Sequence, residues 1–321
     1  MAVYTDLSDE DLAALLAEFE LGAASAFKGI AEGVSNSNFF LETDAGRFIL
    51  TIFEKRAAPE DLPFFMDVME HLAAHDFPAP RPLPAKRSGF LTNVRGKPAC
   101  LVSFLSGVSP HKPNVAQCRA IGATLARLHA ALKDFTGHRA NALGPHAWAP
   151  MINPHMALSE QLRPGLAASI EKDLSDIEAA KYLWTSLPQG VIHADLFPDN
   201  ALLVGDEVKG VVDFYFACND ALAFDLATSL NAWCFERRGE YNITKGKALF
   251  AGYESVRPLS SEERDAIPLL ARGAAIRFFA TRIDDWAHTP PGALVKPHNP
   301  LDYADKLDFH RKAKGVEDYG G

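Results

Sequence analysis

Val191-Ile192-His193-Ala194-Asp195-Leu196-Phe197-Pro198-Asp199-Asn200 carries an apolar run into a histidine, an acid and, five positions after that acid, an asparagine. Beyond a short apolar segment comes Val211-Val212-Asp213-Phe214, so the pattern is H-x-D-x-x-x-x-N followed by D-F. An aspartate at the end of a strand can orient an acceptor hydroxyl and take its proton. An asparagine five residues later can turn its side-chain oxygen toward a divalent cation. A second aspartate, on the neighbouring strand, can give a carboxylate to the same ion. Magnesium prefers such hard oxygen donors and keeps phosphate and water as its other partners. Singly, these residues are more often structural. A lone His-x-Asp can be a buried pair or two ligands of a metallohydrolase, and a lone Asp-Phe carries no information. In this order, with a β-hairpin between them, they are hard to assemble by chance.

The 321 residues around this stretch are 48% hydrophobic, ample for one large or two modest domains. No apolar run reaches the ~18 residues of a membrane span. Met1 to Glu10 carries acids rather than a basic segment ahead of an apolar one, so a secretory signal is not expected. Cys100, Cys118, Cys218 and Cys234 are scattered and form no C-x-x-C pair, which suits reduced thiols in the cytoplasm. The formal net charge of -9 disfavours nucleic acid as a partner. An anionic nucleotide would need local cations, most simply magnesium. There is no G-x-x-x-x-G-K-[ST], no strong G-x-G-x-x-G and no G-x-S-x-G.

The layout is α+β. Ser8 caps a first helix, with Asp11 at the capping-box position and Leu12, Leu15, Leu16 and Phe19 at helical spacing. Phe27 to Ile30 is a strand candidate. Asn38–Glu42 and Arg47–Phe53 predict a hairpin around Thr43-Asp44-Ala45-Gly46. A helix is expected over Glu60–His75, ended by Pro78-Ala79-Pro80-Arg81-Pro82. A second hairpin is expected from Phe90–Val94 and Pro98–Phe104, turning at Arg95-Gly96-Lys97. From Asn114 the pattern becomes helical, with further helices expected around 154–186, 220–236, 242–256 and 261–287 and one β segment, Val191 to Val212. A small β-rich part over residues 1–105 therefore precedes a larger helical part over 106–321, with the boundary near Leu105-Ser106-Gly107.

Protein kinases use H-R-D-x-x-x-x-N and D-F-G for phosphoryl transfer. His193-Ala194-Asp195-Leu196-Phe197-Pro198-Asp199-Asn200 more closely resembles the H-G-D-L-H-P-x-N motif of the aminoglycoside phosphotransferase and choline kinase superfamily. Val212-Asp213-Phe214 looks like that superfamily's I-D-F/W, and Asp220-Ala221-Leu222-Ala223-Phe224-Asp225-Leu226-Ala227 like its D-P-x-x-D-L-A. Ala194 replaces the usual glycine and Phe197 the usual histidine. The resemblance implies a two-lobed protein-kinase-like fold and an ATP-dependent small-molecule kinase. It implies Asp195 as the base, Asn200 and Asp213 as magnesium ligands, and Asp225 as a brace for the catalytic loop. It further implies that Gly29 to Phe39 covers the triphosphate, with Ser35, Asn36 and Ser37 near the phosphates. Leu101–Phe104 would be the strand entering the hinge, where Val102 and Phe104 meet adenine. Thr51 falls where protein kinases place their strand lysine, and Lys55 or magnesium is expected to compensate.

Within the superfamily the chain most resembles the homoserine kinases related to aminoglycoside phosphotransferases. The likeness rests on Gly33-Val34-Ser35-Asn36-Ser37-Asn38-Phe39-Phe40, on Phe48-Ile49-Leu50-Thr51-Ile52-Phe53-Glu54, on Arg272 to Trp286, and on Lys296-Pro297-His298-Asn299-Pro300 with Tyr303 and Phe309-His310-Arg311. In that family Thr51 is the expected residue. The resemblance implies that ATP and L-homoserine give O-phospho-L-homoserine, a step toward threonine. Arginine suits a substrate carboxylate because its planar fork donates two parallel hydrogen bonds. Arg277 and Arg282 are offered by the last long helix, where Arg282 and Asp285 share a face and are the candidate acceptor contacts. A solvated Arg–Asp pair is the plainer reading. Another small hydroxylated acceptor, such as choline, a sugar or an aminoglycoside, is the alternative, and a non-catalytic nucleotide-binding protein a remote one.

Overall fold

The computed structural model describes residues 5–30, 36–54, 58–236, 239–290 and 296–321. Ser35 and Lys55, both named above, lie outside the described residues. The chain divides into two compact units. Unit 1 comprises residues 1–107, 135–137 and 209–215, and unit 2 comprises 108–134, 138–208 and 216–321.

Unit 1 begins with helix α1 (Asp9–Phe19), whose reciprocal Ser8–Asp11 capping box is formed. Five strands follow: β1 (Ala24–Ile30), β2 (Asn36–Thr43), β3 (Gly46–Phe53), β4 (Leu91–Val94) and β5 (Lys97–Ser103). They make one antiparallel sheet in the order β1-β2-β3-β5-β4. Alternation along β3 sends Leu50 and Ile52 to a core shared with Leu15 and Phe19 of α1, Leu41 and Leu101. Helix α2 (Leu62–Ala74) contributes Phe65, Met66, Val68, Met69 and Leu72 to the interior. The second hairpin turns one residue tighter than expected. Lys97 pairs with Val94, leaving Arg95 (φ 51°) and Gly96 (φ 79°) as a two-residue turn. Two left-handed positions suit such a turn, and the Asn93 carboxamide oxygen accepts the Gly96 N–H at 2.8 Å.

Unit 2 is helical. Helix α3 (Val115–Ala131) is capped by Asn114 with Gln117 in a full capping box. Helices α4 (Pro145–Ile152), α5 (Met156–Leu162), α6 (Leu166–Ala179) and α7 (Lys181–Ser186) follow. The helical stretch expected around 154–186 is broken between α5 and α6, because Pro164 forces Arg163 into an extended conformation (φ -154°) and Gly165 turns left-handed (φ 81°). Strand β6 (Gln189–Ile192) pairs antiparallel with β9 (Cys218–Ala221), and β7 (Ala201–Val204) and β8 (Glu207–Val211) form a two-stranded ribbon between them. The sequence predicts a helix around 220–236, which overlaps the end of β9. Cys-Asn-Asp-Ala has little strand propensity, and only pairing with β6 makes it extended. Helices α8 (Leu222–Trp233), α9 (Ile243–Glu254), α10 (Ser261–His288) and α11 (Leu301–His310) complete the unit. Gly122 of α3 and Gly252 of α9 let these helices touch backbone to backbone. A Cβ on Gly122 would lie 2.1 Å from the Leu249 carbonyl oxygen, and one on Gly252 2.0 Å from that of Arg119.

Candidate active site

The loop leaving β6 is held from below by one carboxylate. Asp225, in the first turn of α8 and fully buried, accepts the His193 N–H at 2.7 Å on Oδ2 and the Ala194 N–H at 2.8 Å on Oδ1. The imidazole of His129, from α3, lies 3.2 Å from the same Oδ2 and is fixed on its other side by the Tyr253 hydroxyl at 2.8 Å. Burial alone would raise the Asp225 pKa. Hydrogen bonding and charge from His129 and His193 outweigh it and hold the carboxyl below its ordinary range. Ala194 is left-handed at φ 63°, which accounts for a glycine being the usual residue of the resembled motif at this position.

Asp195 comes next, partly buried at the top of the loop. Its own N–H donates to His193 Nδ1 at 3.2 Å, so that imidazole nitrogen is used inside the loop. Asn200 folds back on it, with Nδ2 donating to the Asp195 carbonyl at 2.8 Å and to Oδ2 at 3.2 Å. Its Oδ1 therefore faces away from Asp195. Trp233 Nε1 donates to the Leu196 carbonyl at 2.8 Å. Arg277, 3% exposed, donates through Nη1 to the Ala194 carbonyl, and its Nη2 lies 3.9 Å from Asp195 Oδ1. Its guanidinium also covers the Phe278 ring at 4.3 Å. In the sequence Arg277 stands out only as a cation on the last long helix. No local pattern marks the grip on a loop 83 residues away.

Asp213 belongs to unit 1, in the segment that follows β8, and is also left-handed at φ 64°. Asp tolerates that conformation better than most residues, and strained backbone collects at functional sites. Two residues on, Tyr215 is buried between Phe53 (rings 5.0 Å apart) and Phe65 (5.8 Å), with its hydroxyl 3.8 Å from Cys100 Sγ. Thr51, at the position of the missing lysine, is 2% exposed and donates to Asn38 Oδ1 at 2.8 Å. The Ser37 hydroxyl, fully buried, donates to Glu54 Oε1 at 2.6 Å and accepts the Thr5 N–H at 3.1 Å, while Asn36 Oδ1 is buried with no partner among the described residues. Val102 sits in β5 opposite Ile49 and bridges to Pro82, and the Phe104 N–H donates to the Arg47 carbonyl at 3.1 Å. Arg282 donates to the Asn299 carbonyl at 3.1 Å and to Asp302 Oδ2 at 2.9 Å. Asp285 is one turn along α10, and its carbonyl accepts the Thr289 hydroxyl at 2.7 Å.

Residues 26–259 match the phosphotransferase enzyme family. The chain belongs to that family. This phosphotransferase is 53% identical to a homoserine kinase of Hyphomonas neptunium over 100% of both chains, and 55% identical to one of Caulobacter sp. strain K31 over 97% of both. Among solved structures, amicoumacin kinase hAmiN superposes with a TM-score of 0.67 at 14% identity, covering 95% of this chain and 92% of that one. A microcompartment-associated aminopropanol kinase gives 0.64 at 16% identity, covering 97% and 99%. The phosphotransferase therefore has the protein-kinase-like fold.

Burial pushes the Asp195 carboxyl of the phosphotransferase above its ordinary range, and the Arg277 and His193 charges recover part of the shift. A raised pKa strengthens a proton acceptor. Asn200 in unit 2 offers an amide oxygen and Asp213 in unit 1 a carboxylate, both hard donors. The nearby imidazole nitrogen, His193 Nδ1, is occupied by the Asp195 N–H. Oxygen donors of this kind suit magnesium better than zinc. Among the described residues no helix is long and apolar enough to cross a membrane.

Proposed function

We propose that this phosphotransferase is a homoserine kinase, transferring the γ-phosphoryl group of ATP to the side-chain hydroxyl of L-homoserine with Mg²⁺. Full-length identity above 50% to homoserine kinases is the observation that carries the reading. Asp195 orients the acceptor hydroxyl and takes its proton as the new P–O bond forms and the bond to ADP breaks. Asn200 Oδ1 and the Asp213 carboxylate hold the metal, which offsets the negative charge of the phosphates. Asp225, His129 and Arg277 fix the loop that carries Asp195. Residues 1–105 serve the nucleotide, with Asn36 and Ser37 toward the phosphates and Val102 and Phe104 at the adenine. Residues 106–321 carry the acceptor, with Arg282 and Asp285 in reach of it. Four unpaired, buried thiols support the cytoplasm as its compartment.

ATP consumption measured over L-homoserine, choline, glucose and an aminoglycoside tests this, with the phosphorylated oxygen located by NMR. The expected result is the highest kcat/KM for L-homoserine, modified on its γ-oxygen. A higher value for any of the other three overturns the assignment.

A further inference from the structure

Three cations and three aromatic rings gather where α10 and α11 face the catalytic loop. Arg282 lies 4.6 Å above the Tyr303 ring and Lys306 Nζ 4.3 Å from it. Phe278 stacks on Tyr303 with centroids 5.1 Å apart, carries Arg277 at 4.3 Å, and meets Phe197 of the catalytic loop edge-on at 4.8 Å. The nearby anions are few. Asp302 pairs with Arg282 from an exposed position, and Asp195 is within the electrostatic reach of Tyr303. Lys306 donates at 2.7 Å to a neutral partner, the Asn231 carbonyl. Burial, and then the repulsion of Arg282, brings the Lys306 pKa down to about 7. The Tyr303 hydroxyl is buried and has no hydrogen-bond partner among the described residues. A buried phenol without a partner is costly and uncommon, and it marks a place where something outside the chain completes the bonding.

We propose that Tyr303, Lys306 and Arg282 form the subsite for the carboxylate of the amino-acid acceptor. A carboxylate supplies both missing elements: an acceptor for the phenol O–H and a negative charge among crowded cations. Its place beside Arg277, which touches Asp195, leaves the other end of a short acceptor at the base. The inference rests on the homoserine kinase reading and adds the residues that would separate an amino acid from a plain amino alcohol.

The test uses the full-length enzyme with ATP and Mg²⁺, and compares L-homoserine with 3-aminopropan-1-ol, which lacks only the carboxylate. Tyr303→Phe keeps the ring and its packing. It is expected to raise KM for L-homoserine by ~10- to 100-fold, the loss of one hydrogen bond to a charged group. KM for ATP and all constants for 3-aminopropan-1-ol should stay unchanged, and Tm should not fall. Lys306→Met is expected to act in the same direction. A wild type inactive on L-homoserine overturns the parent reading and the subsite with it. An active wild type with unchanged homoserine KM in both variants overturns the subsite alone. Equal losses on both acceptors also overturn it, because they would place the residues in packing rather than carboxylate binding.

Discussion

Asp195 keeps its carboxylate in surroundings that disfavour the charge, and this sets a conflict between chemistry and stability. Its folded pKa is raised, so the native state binds the proton more tightly than the unfolded chain does. Stability is therefore lost as pH rises from the unfolded value through the folded one, and the penalty is fully present above the folded value. Asparagine cannot ionise and escapes it. Asp195→Asn is expected to lower kcat by ~10²- to 10⁴-fold while Tm at pH 7 stays level or rises; a clear fall in Tm would show that the carboxylate is stabilising after all. The neighbouring Ala194 has a different strain. An L-residue in the left-handed region costs roughly 1–2 kcal/mol, partly offset by glycine's larger unfolded-state entropy. Ala194→Gly is expected to leave stability unchanged or raise it by up to about 1 kcal/mol in urea unfolding, with kcat preserved. A loss of more than that would mean the Ala194 methyl, buried in the core, contributes packing that outweighs the strain.

At the scale of elements, α8 and α3 build the loop through Asp225 and His129. Asp225→Asn replaces one accepting oxygen by an amide donor that faces a backbone N–H. The expected cost is ~1–3 kcal/mol for each amide left unpaired, together with a fall in kcat. Urea unfolding and turnover on the same preparation would show it, and a variant with wild-type values in both would remove Asp225 from the account. The contact between α3 and α9 gives a second expectation. Alanine is a better helix former than glycine by about 1 kcal/mol. Gly122→Ala should nonetheless destabilise by ~1–3 kcal/mol, because its methyl has no room against the Leu249 carbonyl. A stabilised Gly122→Ala would show that the helices separate freely. What the sequence reveals follows the range of the interaction. The Ser8 cap, the β2–β3 hairpin and the Asp195–Asn200 loop are local, and each is legible from spacing alone. Strand β9 exists through its partner β6, and Arg277 reaches the loop from the middle of α10. Neither carries a nearby signal. Asp225 is readable only through the likeness of its motif to a known one, since nothing in its own neighbourhood points to amides some thirty residues upstream.

For the molecule as a whole, Asn200 lies in unit 2 and Asp213 in unit 1, and each is proposed above as a magnesium ligand. Asp213→Ala removes a full negative charge and Asn200→Ala a neutral dipole. The first should raise the magnesium concentration needed for half-maximal ATP turnover more than the second, and a titration unchanged in both would count against this pair as ligands. The make-up of unit 1 has a consequence for how the protein is born. Its sheet and α2 come early in the chain, yet Val211 donates to the Pro78 carbonyl at 2.8 Å and Tyr215 fills the space between Phe53 and Phe65. Those residues leave the ribosome about a hundred positions after the sheet is complete, a wait of roughly 5–20 s at ordinary elongation rates. During that interval the nascent sheet has an open apolar socket where the Tyr215 ring will sit. The polypeptide segment bearing Asp213 thus arrives as the plug that closes the first unit, and the carboxylate proposed to hold magnesium is set in place by the same event that finishes the fold.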